Sequence, residues 1–96
     1  MGSKQGPLKW EEFRISHKLE AKAILDHLDG CSLAEDETID KFVFEARNGV
    51  VKVRGPKDEE EGIPPLWFLD GYCTGDPTEE ESERINNAGF HYDWMD

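Results

Sequence analysis

Residues 41–54 read KFVFEARNGVVKVR, two runs rich in β-branched and aromatic residues on either side of Asn48-Gly49. A two-residue type I′ turn needs φ > 0 at both central positions, and Asn followed by Gly meets that demand with the least strain. The turn sets the pairing: Arg47 opposite Val50, Ala46 opposite Val51, Glu45 opposite Lys52, Phe44 opposite Val53 and Val43 opposite Arg54. Side chains alternate across a strand. One face therefore carries Phe42, Phe44, Ala46, Val51 and Val53, and the other carries the Glu45/Lys52 pair with Val43, Val50 and Arg54. A hairpin with one apolar face is marginal by itself and needs a helix or further strands over it. The rest of the chain is read as that cover.

Residues 7–29 have helical periodicity, with Pro7 suited to a first helical position and Gly30 to a left-handed stop. Trp10, Phe13, His17, Ala21, Ile24, Leu25 and Leu28 share one face. A second row, Leu8, Ile15, Leu19 and Ala23, lies roughly opposite. The expectation is a helix covered on both sides by its own chain. The alternatives are a break near Ser16, with residues 8–15 as a strand or separate turn and Ser16 capping a helix from His17, or an apolar row Leu8, Ile15, Leu19 that dimerises or docks. After an acidic connection over residues 31–40 comes the hairpin, then a non-periodic surface loop over residues 55–65 with four consecutive acids and three prolines. Residues 66–73 read as a third strand, apolar on both faces and hence central or beneath the helix. Asp76-Pro77-Thr78-Glu79 opens a short helix, with Asp76 as cap, that runs to Ala88 and stops at Gly89. Phe90, Tyr92 and Trp94 alternate with polar residues and Met95, which predicts a fourth strand. The order predicts an α+β domain: an antiparallel sheet of three to four strands, one long helix packed on a face and a short C-terminal helix.

At 96 residues the chain has material for one modest core. Residues 7–96 are expected to form a single domain, and residues 1–6 a loose N-terminus or tag remnant. No apolar run matches a membrane span or a signal peptide, so the sequence reading is a cytoplasmic protein, monomer or homodimer. Cys31 and Cys73 sit in no paired motif. Two half-buried thiols are expected, with a single disulfide as the alternative.

Charge is distributed unevenly. Residues 1–54 hold nine Lys/Arg against ten Asp/Glu, whereas residues 55–96 hold two, Lys57 and Arg84, against twelve. A net charge of −11 repels nucleic acid and anionic membranes and attracts basic proteins. Residues 70–81 have the length of an EF-hand loop, but Tyr72 and Thr74 stand where oxygen ligands are needed. His17, His27, His91 and the cysteines lack the short spacings of a zinc site. There is no nucleophile elbow, phosphate cradle or Cys–His signature, and the carboxylates lie in runs that predict exposure rather than a shifted pKa. The expectation is a protein that is not an enzyme and takes no metal or cofactor.

What remains is acid beside aromatics. The candidate partner-binding residues are the loop acids Asp58, Glu59, Glu60 and Glu61, together with Asp76 and the helix acids Glu79, Glu80 and Glu83. Trp67 and Trp94 are the expected apolar anchors. Carboxylates so placed can imitate the phosphates of a duplex and occupy the basic groove of a nucleic-acid-handling enzyme or complex. In size and charge the chain resembles small acidic domains that phages direct against host defence or transcription machinery, and nuclease-toxin immunity proteins. That resemblance implies an inhibitor or modulator acting by occlusion.

Overall fold

The computed structural model describes residues 7–30 and 38–91. The expected N-terminal tail, Cys31 with its half of the disulfide question, and Tyr92 and Trp94 of the expected last strand lie outside the described residues.

The hairpin forms as its sequence dictates. Strands β1 (Val43–Arg47) and β2 (Val50–Arg54) pair in the expected register, from Val43 opposite Arg54 to Arg47 opposite Val50. Asn48 and Gly49 take φ of 45° and 82°, as a type I′ turn requires. Glu45 and Lys52 face each other across the strands, Oε1 to Nζ 3.3 Å. The segment expected to be one strand is two. A second tight turn, Asp70 at φ 54° and Gly71 at φ 85°, joins β3 (Leu66–Leu69) to β4 (Tyr72–Thr74). The result is an antiparallel meander in the order β1-β2-β3-β4, and this second hairpin supplies the fourth strand. Phe90 is buried, but it lies outside the sheet.

Two helices cover one sheet face, α1 (Trp10–Ser16) and the longer α2 (Lys18–Gly30). The boundary falls at His17, with φ −130° and ψ 65°, one residue beyond the break considered at Ser16. Hydrogen bonding runs through it: the His17 N–H donates to the Phe13 carbonyl at 2.7 Å, and the Ala21 N–H donates to the His17 carbonyl at 2.8 Å. Trp10, Phe13, Ala21, Ile24 and Leu28 turn inward onto Phe42, Phe44, Val51, Val53 and Phe68. Leu8 pairs with Phe44 by two backbone hydrogen bonds of 2.8 and 3.0 Å, so it belongs to the edge of this core. The opposite row is not covered by the described chain as expected: Ile15 is 63% exposed and Leu19 88%. Helices α1 and α2 pack on one sheet face and the C-terminal helix on the other.

After the single turn α3 (Asp58–Glu61) of the β2–β3 link, the second sheet face carries α4 (Glu79–Asn87), held by Ile85 and Ala88 against Val50, Trp67, Leu69 and Phe90. Arg47 ties the far end down. Its Nη1 donates to the Gly89 carbonyl at 2.9 Å, and its guanidinium stands 4.8 Å from the Phe90 ring centre. No helix among the described residues is long and apolar enough to cross a membrane.

Candidate acidic interface

In a meander, the link from β2 to β3 and the exit from β4 emerge at the same end of the sheet. The β2–β3 link contains one helical turn, α3 (Asp58–Glu61), closed by Gly62 at φ 71°. The exit from β4 passes Gly75 and Asp76 into the start of α4. A Cβ placed on Gly75 would stand 3.5 Å from Leu66, the first residue of β3, so the two connections are neighbours. The link that carries the loop acids and the connection into the first turn of α4, far apart in sequence, therefore leave the sheet at the same end.

Among these acids, structural and free carboxylates separate. Asp58 is half-buried, and its Oδ2 accepts the Gly55 N–H at 2.7 Å, closing the turn after β2. Glu81 is also committed. Its Oε1 accepts the Thr78 N–H at 2.8 Å while Thr78 Oγ1 accepts the Glu81 N–H at 3.2 Å, a reciprocal capping box. The cap is thus Thr78, not Asp76 as the sequence suggested. Pro77 is buried, and the exposed Asp76 sits before it with its N–H on Thr74 Oγ1. Glu60, Glu61, Glu79, Glu80 and Glu83 are all exposed, and none is ion-paired among the described residues. Glu59 belongs to the backbone of α3. Glu79, Glu80 and Glu83 with Ser82 and Asn86 line a shallow depression along the outer face of α4. At the opposite end of α4, Arg84 Nη1 meets Asp70 Oδ2 at 2.9 Å. This hydrogen bond, and then the charge of the same carboxylate, raise the Arg84 pKa. Asp70 is therefore a tether between the second hairpin and the helix.

Trp67 does not serve as an anchor. Strand β3 is central, and Trp67 is 1% exposed beneath α4, edge-on to Phe90 at 5.3 Å. A side chain covered on a central strand cannot reach a partner without opening the fold, so its role as a surface contact is withdrawn. Sequence reasoning overlooked Ile63, which is 46% exposed and follows the Gly62 stop of α3. An isolated apolar residue between Gly62 and Pro64 was the available signal. The described residues contain no grouping of three or more His, Cys, Asp or Glu side chains that could hold a metal ion. Compared with protein-family models, curated proteins and solved structures, the chain matches none.

Proposed function

We propose that the protein binds a basic protein partner through this acidic end and acts by occlusion, as an inhibitor or modulator of a nucleic-acid-handling protein or complex. One observation carries the reading: the fold brings the α3 acids and the first turn of α4 to the same end, with Glu60, Glu61, Glu79, Glu80 and Glu83 exposed and without internal counterions among the described residues. An excess of exposed like charge raises the energy of the free protein and is relieved when a Lys/Arg surface supplies countercharge. Ile63 provides an apolar contact beside them, in the role first given to Trp67. No reaction is part of this reading. The acids work by position and charge, and partner selection follows from spacing.

The test begins with capture by the immobilised protein at about 50 mM salt and release at about 500 mM, where screening shortens to a few ångströms. Association kinetics of the released partner are then measured against wild type and Glu79→Gln/Glu80→Gln/Glu83→Gln. Electrostatic steering acts on the encounter, so the triple variant should lower the association rate about tenfold or more, with a smaller change in dissociation. An unchanged association rate, or crosslinks confined to α1 and α2, would overturn the proposal.

A further inference from the structure

The opposite sheet face bears a second surface of contrary character. Where α1 meets α2, a groove of about 340 Å³ opens to solvent. Trp10 and Ala21 form its buried floor, and Ile15 and Leu25, 63% and 44% exposed, stand at its sides. Arg14, Lys18 and Lys22 complete the lining, which includes no carboxylate. That is a pronounced local inversion in a chain with 22 acids and 11 Lys/Arg. Two of the cations touch acids of their own helices, Arg14 to Glu11 at 2.7 Å and Lys22 to Asp26 at 3.1 Å. All four side chains of those pairs are more than half exposed, so the pairs are weak and exchangeable. Lys18 has no carboxylate partner among the described residues.

We propose that this groove is a docking site for an acidic amphipathic helix of another protein, which seats apolar side chains between Ile15 and Leu25 and sets carboxylates against Arg14, Lys18 and Lys22. Helix-in-groove recognition needs a concave apolar track, and the charged rim selects among amphipathic helices. Charge complementarity chooses the occupant. A second copy docked about a two-fold axis would set like against like, cation facing cation across the rim. An anionic bilayer is flat where this surface is concave. A separate acidic segment can enter the concavity, and beyond about 8 Å the charge of the remainder of the protein is largely screened at physiological salt. The inference stands apart from the acidic-end proposal, because it concerns the other sheet face and a partner of opposite charge.

The experiment is a titration of the isotope-labelled full chain, followed by amide NMR, with a designed peptide of about 16 residues, long enough to be helical. The peptide is Ala-based, with Leu at i, i+4 and i+7 on one face and a few Glu flanking that face; a second has Gln in place of each Glu. Resonance shifts confined to Ile15, Lys18, Lys22, Leu25 and their neighbours are expected, with the acidic peptide about tenfold tighter than the Gln peptide at about 150 mM salt. Lys18→Glu/Lys22→Glu should weaken the acidic peptide about tenfold or more, and Ile15→Asp should abolish groove shifts with both peptides. Should Ile15→Asp fail to fold, the doubly charge-reversed protein, altered only at exposed positions, decides alone. Equal affinity for the two peptides, or shifts absent from the groove, overturns the proposal. So does self-association in sedimentation abolished by Ile15→Asp, which identifies a second copy as the occupant. Pelleting with phosphatidylserine vesicles that is lost in Lys18→Glu/Lys22→Glu overturns it in favour of a membrane.

Discussion

At the scale of single residues, Gly55 shows how tightly the acidic loop is joined to the core. It is buried at the end of β2, where its N–H donates to Asp58 Oδ2. A Cβ added there would stand 3.0 Å from Phe42 Cε2 and 3.3 Å from that same carboxylate oxygen. Phe42 is itself a buried core ring, so it has little room to yield. Gly55→Ala should therefore destabilise by about 1–3 kcal/mol, the usual cost of overpacking, read as a fall in Tm of several degrees. The loss should shrink in a Phe42→Leu background, because the clash and the ring share one cause. An unchanged Tm would show that the loop is not seated on the core as described. Asp58 gives the matching lesson about function. In sequence it is one of a run with Glu60 and Glu61, yet its carboxylate closes a turn, and only the three-dimensional path of the backbone separates the two uses.

At the scale of elements, α4 depends on few contacts. Of its nine residues only Ile85 is buried, and the cap residue Ala88 adds the other inward contact. Ile85→Ala should cost about 2–4 kcal/mol, and amide protection should fall in α4 before it falls in β2 or β3. Uniform loss of protection across all three elements would show that α4 is not a separately released unit. Legibility varied from element to element for physical reasons. The first hairpin could be read because Asn48-Gly49 sits between runs with a clear period of two. Asp70-Gly71 has the same turn chemistry, yet the sequence pattern predicts strand across it. Its flanks are only four and three residues long, and β3 is apolar on both faces, which hides the alternation. The inward row of the helices was legible except for Leu25, because α1 and α2 keep one phase across His17. Exposure of Ile15 and Leu19 was not, since a helical wheel shows two apolar rows without saying whether a third layer exists to cover the second. For the candidate interface, the acids were legible as a charge bias. The meander that assembles them at one end, and the burial of Trp67, depended on strand order.

At the scale of the whole molecule, the same salt should act with opposite signs on folding and on binding the basic partner. The folded chain compresses a net charge of −11 into a body with a radius of gyration of 13.0 Å, whereas the unfolded chain spreads that charge out. Added salt screens the self-repulsion more in the compact state than in the expanded one. The ion pairs that salt also weakens, such as Arg14–Glu11 and Lys22–Asp26, are exposed and each worth about 1 kcal/mol or less. Self-repulsion should dominate, so Tm should rise between about 20 and 300 mM sodium chloride, as the Debye length falls from roughly 20 Å to under 10 Å. Affinity for the basic partner should fall over the same range, because screening removes the attraction that relieves the acidic end. Measuring Tm and association rate across one salt series separates the two: an affinity loss accompanied by falling Tm would mean that salt is unfolding the protein. Glu79→Gln/Glu80→Gln/Glu83→Gln should flatten both slopes together, since the same three carboxylates contribute to both. If the binding slope persists in that variant while the stability slope flattens, the exposed acids of α4 strain the fold without meeting the partner.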